Sequence, residues 1–233
     1  MFSKKPEICV VYEDDNILIA NKPKGVIMHG EKEDQDTLVS NLLSYLYAKG
    51  EYDPKKEQSF TPAFCNRIDK NTKGLVVAAK NAAALRELNE KIKAGKLKKF
   101  YLCVLSCEPE KKFGEIETYL KKNDAENKVY VCNANEEGAK YAKTRYNVIG
   151  YREGGVLTEV ELLTGRPHQI RAHMAHIGCP IVGDVKYGAK KDGKKSYQEL
   201  VSYKLVFDFQ KEGSVLDDLA GKSFTIIQND YKQ

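Results

Sequence analysis

Short β-rich runs broken by polar turns recur along the whole chain, and this pattern limits the possible folds more than any other feature. Ile8 to Tyr12 and Ile17 to Asn21 are two such runs, separated by Glu13-Asp14-Asp15-Asn16. Ala63 to Arg67 and Leu75 to Ala79 read as buried strands around a polar insert, Ile68 to Gly74. Phe100 to Leu105, antiparallel strands within Gly114 to Tyr151, Val156 to Leu163, Leu205 to Phe209 and Phe224 to Ile227 continue the series. Helical signals are fewer. Thr37 is a plausible N-cap, and behind it Leu38, Val39, Leu42, Leu43 and Leu46 share one face. Asn81 caps an amphipathic helix that runs to about Ala94 and stops at Gly95. Gln169 to Ile177 reads as a short helix closed by Gly178. Strands outnumber helices and do not alternate with them. The expected fold is therefore α+β, with a mixed, mostly antiparallel central sheet and flanking helices. No repeat, low-complexity tract or linker divides the chain, so a single domain over 1–233 is expected.

A chain of 233 residues can enclose a core and still present a cleft. Its net charge of +5 suits a partner rich in phosphate without proving one. The start, MFSKKPEICVVYEDDN, has no long apolar run behind its lysines, so no signal peptide is expected. No stretch approaches the ~20 apolar residues of a membrane helix. A cytoplasmic protein is expected, without membrane contact. Cys9, Cys65, Cys103, Cys107, Cys132 and Cys179 are scattered through apolar segments with no C-x-x-C pair, which predicts buried, reduced thiols and no zinc site.

Three segments carry chemistry. In Asn66-Arg67-Ile68-Asp69-Lys70-Asn71-Thr72-Lys73-Gly74, a carboxylate sits among Arg67, Lys70 and Lys73. Neighbouring cations favour the ionised carboxylate, which suits a nucleophile rather than a proton donor. Taken alone, such a turn is an exposed loop with solvated charges. The second segment, Leu163 to His173, is the most unusual: Gly165 and Pro167 shape a turn, and Arg166 stands just ahead of a helix start. A guanidinium beside free backbone donors is an anion-binding locus for a carboxylate or a phosphate. A metal is not expected there, because Arg166 and Arg171 would repel it; His173 and His176 are expected to pack and hydrogen-bond in the ordinary way. In the third, Lys96-Leu97-Lys98-Lys99-Phe100-Tyr101, lysines precede aromatics at a strand start. Lysines contact phosphates and aromatics stack on bases; Phe100 is expected in the core, and Tyr101 facing a cleft with its hydroxyl free.

These pieces, in this order, resemble the RluA-type pseudouridine synthase family. The family pattern H-R-L-D-x-x-T-S-G is matched by Asn66 to Gly74, with Ala79-Lys80 beyond. The K-x-Y strand looks like Lys99-Phe100-Tyr101. G-R-x-H-Q-I-R-x-H, then G-x-P-I-x-G-D and Y-G, look like Gly165 to His173, Gly178 to Asp184 and Tyr187-Gly188. The opening Tyr12-Glu13-Asp14-Asp15 to Asn21-Lys22-Pro23-Lys24-Gly25 is also similar. The likeness runs from about Val10 to Gly188, and Asn66 and Lys73 depart from it, standing where the family has histidine and a small residue.

The resemblance implies one catalytic domain, with no separate N-terminal RNA-binding domain. It implies an isomerase acting on uridine in structured RNA, ribosomal RNA ahead of transfer RNA, with no cofactor or metal, working as a monomer. Asp69 would be the catalytic aspartate, Tyr101 would stack on the target base, and Arg166 would pair with Asp69. Arg67 and Lys70 would hold the RNA, with Lys99, His168, Gln169 and Arg171 as further contacts, and Leu75 and Ile170 would wall the pocket. Two rivals remain: a non-catalytic RNA-binding module, and a metal-dependent nuclease or phosphoesterase using His168, His173 and Asp184.

Overall fold

The computed structural model describes residues 7–30, 35–56, 59–152, 154–191 and 197–226. In chain order the elements are β1 (Val10–Glu13), β2 (Ile17–Lys22), α1 (Leu38–Ala48), β3 (Ala63–Phe64), β4 (Lys73–Ala79), α2 (Ala82–Lys93) and β5 (Leu97–Leu105). Then follow β6 (Phe113–Asn123), β7 (Lys128–Cys132), β8 (Lys140–Arg152), β9 (Gly155–Leu162), α3 (Gln169–His176), β10 (Leu200–Phe207) and β11 (Ser223–Thr225). The fold is α+β with mostly antiparallel pairing, as the strand-rich pattern predicts. The chain groups into two compact units: 1–98 with 202–233, and 99–201.

In the first unit the order is β1-β2-β4-β10, with β3 also on β4 and β11 on β10. Ile17, Leu18, Ile19 and Ala20 are all fully buried, so β2 is covered on both faces. Ile17, Ile19, Leu75, Val77 and Phe207 belong to one core cluster with Ala84 and Leu88 of α2. Both long helices start where local chemistry directs. The Thr37 hydroxyl accepts the Ser40 N–H, and Ser40 returns a bond to the Thr37 N–H, closing a capping box. Asn81 Oδ1 accepts the Ala84 N–H at 2.9 Å.

The second unit is an antiparallel array, β5-β9-β8-β6-β7. α3 packs on β7 and β8, where Ala172 and Tyr187 join Leu120, Val129 and Ala142 in a small core.

Three strand boundaries differ from expectation by three or more residues. The strand expected over Ala63 to Arg67 ends at Phe64, because Asn66 replaces backbone with side chain: its Oδ1 accepts the Val77 N–H at 2.8 Å. β5 starts at Leu97 rather than Phe100, and β10 at Leu200 rather than Leu205. Both early stretches include polar residues that hide the strand signal. The last expected strand ends on Ile227, which lies outside the described residues.

Candidate active site

Asp69 opens a tight turn. The Thr72 N–H donates to the Asp69 carbonyl at 3.0 Å, closing the four-residue turn Asp69-Lys70-Asn71-Thr72, with aspartate at the position such turns favour. β4 leaves this turn through Gly74, whose φ is +125° and whose Cα lies against the Ser202 backbone, leaving no room for a side chain. From the other side the turn is held by Lys22, which is 0% exposed. The three protons of its ammonium match three carbonyls: Pro23 at 2.9 Å, Val26 at 2.8 Å and Lys70 at 2.9 Å. The Lys70 carbonyl also accepts the Gly25 N–H at 2.9 Å. The opening K-P-K-G turn and the Asp69 turn are thus clamped together through main-chain atoms. Burial pushes the Lys22 pKa down to about 8, and the Asp69 charge opposes that fall. At neutral pH the cation remains, buried beside a carboxylate that is itself half-exposed.

In the second unit, the turn before α3 is organised by Gln169, only 2% exposed. Its Oε1 accepts the Arg166 N–H at 3.0 Å and the Thr164 hydroxyl at 2.8 Å. Its Nε2 donates to the Lys143 carbonyl at 2.9 Å and Thr144 Oγ1 at 2.8 Å. Arg166 is exposed, with Nε donating to the Tyr141 carbonyl at 2.9 Å. A side chain on Gly165 would meet the Lys99 ammonium, so Lys99 and Arg166 bring two cations to one turn; burial lowers the Lys99 pKa. His168 caps α3 at a φ of +51°, a left-handed conformation costly for a residue with a side chain. Its Nδ1 meets the Tyr187 hydroxyl at 2.9 Å, and that hydroxyl accepts the Val129 N–H at 2.9 Å.

Several expectations need correction. Gln169 and Arg171, expected to meet RNA, are internal. All four hydrogen-bonding positions of the Gln169 amide are filled within the protein. The Arg171 guanidinium grips Asp184 with both arms, Nε to Oδ2 at 2.7 Å and Nη2 to Oδ1 at 2.8 Å, and stacks over the Tyr187 ring. Tyr101, expected to face a cleft with a free hydroxyl, is only 4% exposed and engaged within the protein. Phe100, expected in the core, is half-buried. Leu75 is fully buried in the first unit's core, and Ile170 is buried on α3. Arg67 and Lys70 are exposed. Of the six cysteines only Cys103 and Cys179 are buried.

His173 behaves as expected of a packed histidine. It is 0% exposed, with Nδ1 at 2.8 Å from the Thr144 hydroxyl and Nε2 at 2.9 Å from the Thr118 hydroxyl. Burial, with His176 nearby, pushes its pKa down to about 4. Both ring nitrogens are occupied, and both Asp184 oxygens belong to Arg171, so these residues do not form a metal site; among the described residues no cluster of metal ligands occurs. The functional feature that sequence reading missed is Lys22. It was legible only as part of a turn, since lysine is seldom fully buried.

Residues 16–176 match the family described as RNA pseudouridylate synthase. A protein of Borreliella burgdorferi named ribosomal large subunit pseudouridine synthase D is 31% identical over 230 residues, covering 97% of this chain and 69% of its own length. A protein of Mycoplasma capricolum named uncharacterized RNA pseudouridine synthase is 33% identical, covering 94% of this chain and 70% of its own. A ribosomal large subunit pseudouridine synthase C of Rickettsia bellii is 34% identical over 183 residues, and the chain spans only 57% of it. Among solved structures, human RNA pseudouridylate synthase domain containing 4 superposes with a TM-score of 0.72 at 20% identity, over 94% of this chain and 88% of that one. Human RNA pseudouridylate synthase domain containing 1 gives 0.66 at 22% identity, over 98% and 94%. These structures share the fold.

Proposed function

The chain belongs to the RNA pseudouridylate synthase family, and on that premise we propose that it converts uridine to pseudouridine in ribosomal RNA with Asp69 as the catalytic carboxylate. As a member it is an isomerase, an RNA pseudouridine synthase. The observation that carries the assignment of Asp69 is its position: a half-exposed carboxylate on a turn clamped by a buried ammonium. A catalytic group must be held rigidly.

The reaction breaks the bond from ribose C1′ to uracil N1, turns the base and joins C1′ to C5, releasing the C5 proton to solvent. Asp69 acts either by adding to C1′, as the carboxylate of a retaining glycosidase does, or by drawing a ribose proton to give a glycal. The target base leaves its stack first, at a cost of a few kcal/mol that stacking on an aromatic ring offsets in part. By family resemblance Tyr101 supplies that ring, and Arg166 steadies Asp69. Arg67 and Lys70, both exposed, contact the RNA backbone. Ribosomal RNA is carried over from the names of the relatives, and such a substrate makes the cytoplasm the proposed location.

The test uses ribosomal and transfer RNA carrying tritium at uridine C5, incubated with the wild type and with Asp69→Asn. Release of tritium from ribosomal RNA by the wild type alone is the expected result. Release from transfer RNA only would replace the substrate assignment. Equal RNA binding by both proteins with no release from either would favour the binding-module reading.

A further inference from the structure

The chain has one feature that neither the reaction nor the RNA explains. Cys107 and Cys179 stand 72 residues apart in sequence, yet their sulfurs lie 2.6 Å apart. Both belong to the second unit. The contact follows from strand register. Leu105 and Ile181 form an antiparallel bridge. The Ser106 N–H donates to the Pro180 carbonyl at 2.9 Å, and the Val182 N–H to the Val104 carbonyl at 2.8 Å. These bonds flank the Leu105–Ile181 pair, which makes it a non-hydrogen-bonded pair. Continued two residues further, past the last backbone bond, that non-hydrogen-bonded register sets Cys107 opposite Cys179. Such pairs bring Cα atoms to about 4.5 Å, inside the usual disulfide range of roughly 4.4–6.8 Å.

Access and chemistry divide between the two thiols. Cys107 is exposed, and Cys179 is buried. Burial, with the Cys107 sulfur beside it, raises the Cys179 pKa well above the ordinary thiol range. Cys107 also lies 3.3 Å from the Gly178 carbonyl. A metal does not account for the pair, since a structural zinc needs four ligands and no cluster of three occurs among the described residues.

We propose that Cys107 and Cys179 form a peroxide-responsive dithiol that closes to a disulfide between the end of β5 and the loop after α3. The Cys107 thiol gives up its proton, the thiolate attacks a peroxide oxygen and the O–O bond breaks; Cys107 becomes a sulfenic acid, and the departing hydroxide takes up that proton and leaves as water. The Cys179 sulfur then attacks the Cys107 sulfur. The S–O bond breaks, the Cys179 proton goes to the departing hydroxide, and a second water leaves. In total two thiols are oxidised by two electrons and one peroxide is reduced to two waters. The disulfide would staple the loop that leads to Asp184, the partner of Arg171. Closing a loop this long restricts the unfolded chain, so oxidation should stabilise the protein.

The full chain, purified reduced, is treated with hydrogen peroxide, alkylated and mapped by peptide mass spectrometry. Expected is a loss of two hydrogens, a peptide joining Cys107 to Cys179, reversal by dithiothreitol and a rise in Tm of about 5 °C. Cys107→Ser, at an exposed position, should fold normally and show neither the link nor the rise. Cys179→Ala should leave the Cys107 sulfenic acid trappable. The proposal is overturned if both thiols still alkylate after peroxide, if Cys107 proceeds to sulfinic acid while Cys179 stays free, or if the link forms to another cysteine.

Discussion

In the first unit one buried ammonium holds the Asp69 turn through main-chain carbonyls; in the second, polar side chains hold one another around α3. The difference matters for what each region tolerates. A carbonyl is the same in every residue, so the clamp from Lys22 does not depend on the side chains at 23, 26 or 70. The α3 network depends on side chains at nearly every position: Gln169 needs Thr144 and Thr164, Arg171 needs Asp184, and His168 meets Tyr187. The side chain at Lys70 can therefore vary without loss of the clamp, whereas Arg171 and Asp184 must change together. Both regions also bury a base whose proton affinity is depressed, Lys22 in one and His173 in the other.

The largest expected effect breaks the comparison at its chemical end. Asp69→Asn should lower tritium release at least about a thousandfold while Tm and RNA binding stay near wild type. A variant of near-normal activity would remove Asp69 from the mechanism. Substitutions at Gln169, Arg171 or Asp184 should not show that combination, since those buried residues act through the fold.

Next comes the Arg171–Asp184 pair, 7% and 2% exposed. Arg171→Met leaves the Asp184 carboxylate buried and unpaired, and should cost about 3–5 kcal/mol in urea unfolding. Adding Asp184→Leu should restore a large part of that loss. No recovery in the double variant would mean that the guanidinium matters for more than its partner.

The two buried bases give opposite pH windows with the same sign. A base with a depressed pKa binds fewer protons folded than unfolded, so stability rises with pH across the window between the two values. For His173 that window runs from about 4 up to the ordinary 6.5. Acidification through it should cost the wild type on the order of 3 kcal/mol. His173→Gln should flatten this limb, and an unchanged acid limb would shift the cause to other groups.

For Lys22 the window runs from about 8 to the ordinary 10.5. Relative to Lys22→Met, the wild type should gain on the order of 3 kcal/mol as pH rises through it. Parallel stability curves for the two proteins would show that the buried ammonium is better solvated by its carbonyls than its burial implies.

Much of this architecture was legible in the sequence, and the residues show where legibility stops. Thr37 and Asn81 announced their helices because an N-cap acts on backbone donors within three residues. The Asp69 turn was likewise local, a polar insert between two apolar runs. The end of β3 was not, because Asn66 meets Val77 eleven residues away. The early starts of β5 and β10 were missed because Lys98, Lys99, Ser202 and Tyr203 dilute the apolar pattern. Gln169 and Arg171 were expected to meet RNA because they belong to the motif that carries the family resemblance. The fold turned both inward and supplied partners for them.

By itself the sequence determined the class of fold, both long helices with their caps, and a motif order that pointed to uridine isomerisation. It could do so because turns, caps and periodicities are interactions between near neighbours. Only the tertiary structure decided that Lys22 is buried under the Asp69 turn, that Arg171 is held by Asp184, and that Cys107 meets Cys179. A charge or a thiol acquires its role from the partners and the water that the folded chain brings to it or removes. That environment is set by contacts between residues far apart in the sequence, which no local pattern encodes.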